Sequence, residues 1–129
     1  MITKVEAIDL AKQFIKEELP SKSWFNHIKP HLKTILLYGS VAKRTNRENS
    51  DIDILMITPL AIEEEYTAGE YFYVYKSQTI NIVLRSIERL RNIARAHDDA
   101  LQKEVFRECE ILFATDNEVK DLLNKIATI

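Results

Sequence analysis

Apolar runs occupy positions 35–38 and 52–57, the second broken only by Asp53, the pattern of buried strands. Strict alternation follows at 70–76, with Tyr71, Tyr73 and Tyr75 on one face and Phe72 and Val74 on the other. Lys76-Ser77-Gln78 turns the chain, and 79–84 predicts a further strand that pairs with 70–76 as an antiparallel hairpin. The period changes to that of a helix elsewhere. Thr3-Lys4-Val5-Glu6 resembles a capping box, after which Val5, Ile8, Ala11, Ile15 and Leu19 recur at helical spacing until Pro20. Trp24, Phe25 and Ile28 predict a short helix over 23–29, cut off by Pro30. Pro59 marks an exit from the second strand, and Glu63-Glu64-Glu65 within 60–68 predicts a solvated helical turn. Gly69 marks a turn. Ser86 is placed to cap a helix with Ile87, Leu90, Ala94 and His97 on one side. Asp98 or Asp99 restarts a helix to about Arg107, and 111–113 is a short strand. Thr115 or Asp116 then caps a last helix bearing Val119, Leu122, Leu123 and Ile126. This order predicts an α/β (α+β) fold, a two-layer arrangement of a mixed β-sheet flanked by helices, as one domain over 1–129.

Composition narrows the function classes. At 129 residues the chain is long enough for one domain with a real core and too short for two domains. A net charge of −2 and a pI near 5.9 weigh against a dedicated nucleic-acid binder. The one cysteine, Cys109, excludes an intramolecular disulfide and a cysteine zinc cluster, and reads as a small semi-buried residue. His27 and His31 are four apart, but Pro30 breaks the helix that would align them on a metal. No targeting or membrane-spanning segment is evident, so the expected compartment is the cytoplasm, without membrane association.

The chemistry concentrates between the first two apolar runs. The second run is entered through Asp51-Ile52-Asp53, whose carboxylates project from one face while Ile52 and Ile54 project from the other. Two such carboxylates repel unless a cation sits between them, and Mg²⁺ is the usual solution, bringing substrate phosphates with it. The first run ends in Gly39-Ser40. Glycine lets a group approach the backbone closely, and Ser40 could cap a first helical turn over 41–44. Lys43, Arg44 and Arg47 add positive charge suited to a phosphate chain. The plainer alternative is a strand-loop-strand whose aspartates cap or solvate a strand edge.

Gly39-Ser40-x-Ala42 followed by Ser50-Asp51-Ile52-Asp53-Ile54 resembles the signature of the nucleotidyltransferase superfamily that includes DNA polymerase beta. The short chain is most similar to the minimal nucleotidyltransferases of bacteria and archaea. Glu108-Cys109-Glu110-Ile111-Leu112-Phe113 resembles the final strand of that family, so the resemblance covers roughly 24–113. It implies transfer of a nucleoside monophosphate, AMP from ATP, to an acceptor with release of pyrophosphate. Asp51 and Asp53 would hold Mg²⁺ (or Mn²⁺) against the triphosphate. Gly39, Ser40, Lys43, Arg44 and Ser50 would bind the nucleotide. Minimal members are commonly partnered with a helical protein of the HEPN type as its antitoxin, and can adenylylate it. The chain departs from the pattern twice. The third carboxylate of two-metal members falls on Asn81, and Arg44 stands where many members have glycine. Asn81 keeps open an alternative, a catalytically weakened nucleotide-binding or regulatory subunit that acts on its partner by contact. The tyrosine stripe could stack on a base, with strand packing the plainer use.

Overall fold

Five strands, β1 (Thr34–Tyr38), β2 (Ile52–Thr58), β3 (Glu70–Tyr75), β4 (Gln78–Ser86) and β5 (Glu110–Ala114), form one sheet in the order β3-β4-β2-β1-β5. The computed structural model describes residues 1–66, 70–96 and 100–128, and Glu70 by its backbone alone. The turn at Gly69, the helix-end position of His97 and the restart at Asp98 or Asp99 lie outside the described residues. The helices are α1 (Lys4–Glu17), α2 (Ser23–Ile28), α3 (Gly39–Ala42), α4 (Leu60–Glu65), α5 (Ile87–Ala96), α6 (Ala100–Val105) and α7 (Glu118–Ala127). Strand β1 is antiparallel to both β2 and β5, β3 pairs antiparallel with β4 as expected, and β2 runs parallel to β4. The sheet is therefore mixed.

The two apolar runs occupy the middle of this sheet, because a central strand must bury both sides. Leu37, Ile54, Met56, Ile80 and Ile82 face a core shared with Ala7, Ala11 and Phe14 of α1 and Phe25 and Ile28 of α2. Leu36, Leu55, Ile57 and Val83 face a second core with Leu90 and Ala94 of α5 and Val119 and Ile126 of α7. Helices thus flank the mixed sheet on both faces, where a two-layer arrangement would have placed them on one.

Local signals fix most boundaries. The capping box at Thr3 is complete: the Thr3 hydroxyl accepts from the Glu6 N–H, and the Glu6 carboxylate accepts from the Thr3 N–H, both at 3.1 Å. Helix α1 ends at Glu17, and Leu19–Ser21 forms a separate 3-10 turn. The stripe that α1 buries is Lys4, Ala7, Ala11 and Phe14, rotated from the one expected, and Val5 lies exposed. Phe14 sets this rotation, since its ring packs 5.5 Å from Tyr73 and 5.4 Å from Tyr75, and an aromatic ring contributes the larger buried area. The tyrosine stripe is strand packing. Trp24 stacks on Tyr71 with centroids 4.3 Å apart and donates its indole N–H to the Tyr73 hydroxyl at 2.7 Å. The opposite face of β3 leaves Phe72 and Val74 exposed. The Ser86 hydroxyl accepts from the Arg89 N–H at 3.1 Å and so starts α5, as expected. Among the described residues no helix is long and apolar enough to cross a membrane.

Helix α7 is clamped at its start by charge. Glu118 accepts two bonds from the Arg91 guanidinium, both at 2.9 Å, and one from Lys33 at 2.9 Å. Those partners hold its carboxyl down to about 2, against an ordinary value near 4.5, with the Arg91 bonds the largest cause. A depressed carboxyl contributes stability above the unfolded pKa and loses it as pH falls toward the folded one. The expected outcome for Glu118→Gln is a loss of about 1 kcal/mol at neutral pH. Its urea midpoint should fall below that of the wild type above about pH 5 and meet it near pH 2. A gap unchanged across that range would mean that the clamp acts through packing instead of charge.

Candidate functional site

Strand register places four side chains in a row across one face of the sheet. Tyr38 on β1 lies opposite Asp53 on β2, Asp53 beside Asn81 on β4, and Asn81 opposite Phe72 on β3. This is the face that carries Leu36, Leu55 and Val83 farther along the same strands. Asp51 lies two residues ahead of Asp53, just before β2, and so belongs to the same side. The two expected carboxylates and the expected third position are therefore neighbours.

Gly39 ends the row at its upper corner. Its φ is +81°, in the left-handed region, and a Cβ built on it would lie 2.4 Å from Asp53 Oδ2. Both facts require glycine: side chains rarely adopt that backbone, and any side chain would occupy the space of the carboxylate. Helix α3 begins at Gly39 itself, so Ser40 sits inside the short helix and is not its cap. Val41 and Ala42 are fully buried and anchor the turn against the first core.

Asp53 is the electrostatic centre of the site. Burial raises its carboxyl pKa most; the Asn81 bond pulls it back, and the neighbouring Asp51 charge raises it again. The Asn81 amide donates to Asp53 Oδ1 at 3.4 Å. The other end of that amide, Asn81 Oδ1, is buried with no hydrogen-bond partner. Two carboxylates on one face make an oxygen donor set that suits a hard divalent ion such as Mg²⁺ or Mn²⁺. Among the described residues no group of three or more His, Cys, Asp or Glu side chains could hold a metal. An ion here would take two carboxylates from the chain and complete its shell with water or phosphate oxygens.

The remaining expected residues have other engagements. Lys43 pairs with Glu104 at 3.4 Å, and Arg44 pairs with Glu108 at 2.8 Å. Arg44 has a φ of 60°, a left-handed backbone held despite its side chain. The Ser50 hydroxyl accepts from the Arg47 N–H at 2.8 Å and closes a tight turn ahead of Asp51. His27 contacts the Tyr66 hydroxyl and lies 3.7 Å from Glu65. Cys109 is half-buried, and that burial pushes its thiol up to about 11. Tyr38 is the residue that sequence reasoning passed over. Its one signal was an aromatic ring closing the apolar run next to Gly39.

The family described as "Polymerase beta, Nucleotidyltransferase" matches residues 22–118 of this chain. A nucleotidyltransferase-like protein from Exiguobacterium sibiricum superposes with a TM-score of 0.57 at 13% identity, covering 93% of this chain and 38% of that one. A toxin-antitoxin structure with AMP-PNP gives a TM-score of 0.47 at 18% identity, covering 92% of this chain and 86% of that one. A mutant of the toxin-antitoxin MntA-HpeT gives 0.43 at 18% identity, covering 81% of this chain and 79% of that one. No curated protein matches the chain. The matched span takes in all five strands and the whole row from Tyr38 to Asn81, and the chain belongs to the polymerase beta nucleotidyltransferase family.

Proposed function

We propose that this protein is a cytoplasmic, Mg²⁺- or Mn²⁺-dependent nucleotidyltransferase that moves AMP from ATP to an acceptor. The observation that carries this reading is the fit of Asp53 into the space left by Gly39, beside Asp51 and on the same face. Asp51 and Asp53 would hold the ion. When bound, the ion would supply charge neutralisation for an in-line displacement at the α-phosphate. The chain's own part is to position. Gly39 and Ser40 present backbone N–H groups and a hydroxyl to the outer phosphates, and Ser50 shapes the loop that delivers Asp51. Lys43 and Arg44 reach phosphate only by exchanging Glu104 and Glu108, exposed ion pairs that cost little to break. The acceptor is proposed to be a helical partner protein of the HEPN type, with this chain as its antitoxin. The test is incubation with labelled ATP and Mg²⁺, with and without the protein encoded beside it. Label transferred to that protein supports the reading, and the absence of any Mg²⁺-dependent ATP binding would sink it.

One observation favours a second reading. Asn81 carries no charge and cannot take a proton at neutral pH, so the acceptor hydroxyl lacks the carboxylate that two-metal members use. On this reading the chain is a weakened, nucleotide-holding subunit that neutralises its partner by contact. Asn81→Asp separates the two. The side chains are nearly the same size, so packing should change little. An added acid beside Asp53 should make Mg²⁺ stabilise the variant more than the wild type, because the ion binds the native state. A slow enzyme should gain at least tenfold in transfer rate with ATP affinity little changed. Equal thermal shifts in Mg²⁺ and equal rates would place Asn81 outside the ion's reach.

A further inference from the structure

The face that carries the carboxylates does not end at Asp53. Farther along the same strands the sheet and the helices α5 and α6 enclose a cleft of about 460 Å³. Leu55, two residues beyond Asp53, forms part of its floor, so the cleft begins about 7 Å from the carboxylate along β2. Tyr38, which lies directly opposite Asp53 in the sheet, lines it as well. The cleft and the carboxylate row therefore share a wall. A volume of this size accepts one small organic molecule.

The lining says which class of molecule. Tyr38 and Phe106 offer aromatic surface, and both pack against the second core. Asn92 and Gln102 bring side-chain amides, each with paired donors and an acceptor. Amides of this kind read the adjacent amino group and ring nitrogen of adenine. Arg85 and Arg89 also line the cleft, at the end away from the carboxylates, since Arg85 lies beside Ile57, and Arg89 is held by the buried Glu63 at 2.8 Å. A planar, hydrogen-bonding base matches apolar surface and paired amides together.

We propose that this cleft binds the adenine nucleoside portion of the nucleotide, with its 5′-phosphates leaving past Tyr38 toward Asp51 and Asp53. The proposal rests on the transferase reading above for the direction of the phosphates. It adds the purine selectivity and the residues that supply it. Base selection would then be built into this domain, on α5 and α6, independently of any partner.

Calorimetry on the full chain tests it with four probes: adenosine, cytidine, tripolyphosphate with Mg²⁺, and ATP with Mg²⁺. Val105 lines the cleft from α6, a helix without buried residues, so Val105→Trp fills the cleft at little cost to the fold. Asn92 is exposed on α5, and Asn92→Ala removes its amide without touching a core. The wild type should bind adenosine more tightly than cytidine. Val105→Trp should weaken adenosine and ATP by tenfold or more and leave tripolyphosphate unchanged. Asn92→Ala should weaken adenosine by about fivefold and cytidine hardly at all. Equal adenosine and ATP affinities in Val105→Trp and wild type overturn the cleft, as does a wild type that binds tripolyphosphate but not adenosine. Failure of tripolyphosphate to bind overturns the carboxylate site instead, while adenosine and its two variants still judge the cleft.

Discussion

Replacing Asp51 and Asp53 together by asparagine is expected to remove the effect of Mg²⁺ on ATP binding and to lower transfer by about a thousandfold or more. Two charges that hold the ion against the triphosphate are each worth several kcal/mol in the transition state, and 1.36 kcal/mol is tenfold in rate. Stability should move the other way. Burial and the Asp51 charge both raise the Asp53 carboxyl, so its ionised form disfavours the native state when no cation is present. The amide pair lacks that penalty. The ligand-free double variant should therefore melt at or above the wild-type temperature. The stabilisation that the wild type gains from Mg²⁺ and ATP, about 2.7 kcal/mol at a hundredfold excess over Kd, should vanish. Thermal melts with and without Mg²⁺ and ATP check both halves. Wild-type-like Mg²⁺-dependent binding in the double variant would remove these residues from the site.

Gly39→Ala should damage the site from the other side. The new Cβ meets Asp53 Oδ2 at 2.4 Å, a separation that no packed pair of atoms tolerates. The left-handed backbone adds strain of its own, roughly 1–3 kcal/mol. Relief requires either that α3 shifts, against the fully buried Val41 and Ala42, or that Asp53 swings away. The second is the cheaper movement, since a carboxylate needs only a rotamer change. We expect a loss of about 2 kcal/mol in stability and at least tenfold in Mg²⁺–ATP affinity, read by urea unfolding and calorimetry. A stability loss without an affinity loss would mean that the helix moved and the carboxylate stayed.

The strands were legible because burial on two faces leaves an apolar run, as at 35–38 and 54–57, and burial on one leaves alternation, as at 70–76. The neighbourhood of Asp51, Asp53 and Gly39 was legible for the same reason: strand period and strand end place them. The pairing of β2 with β4 was not, because a parallel neighbour across an intervening hairpin leaves no local mark. Neither were the partners of Lys43 and Arg44. Their charge invites phosphate when read locally, yet Glu104 and Glu108 lie 61 and 64 residues away and pair with them in the folded chain. The rotation of α1 escaped because five aliphatic positions outvoted Phe14 in the helical period, although the ring decides the packing. The cleft escaped entirely, since its lining comes from five separate elements.

Helix α6 buries none of its residues fully, and its end of the molecule is tied to the loop after α3 by Lys43–Glu104 and Arg44–Glu108. A wall held in this way answers to dissolved electrolyte as the sheet does not. Screening shortens from about 10 Å at 0.1 M salt to about 3 Å at 1 M, weakening exposed ion pairs while leaving apolar contacts intact or stronger. Concentrated salt should thus loosen one wall of the molecule without melting it, and amide exchange along 100–108 should quicken while that of β1, β2 and β4 stays slow. The protein carries a rigid half and a half whose stiffness is set by its surroundings, and the boundary between them runs beside Asp53.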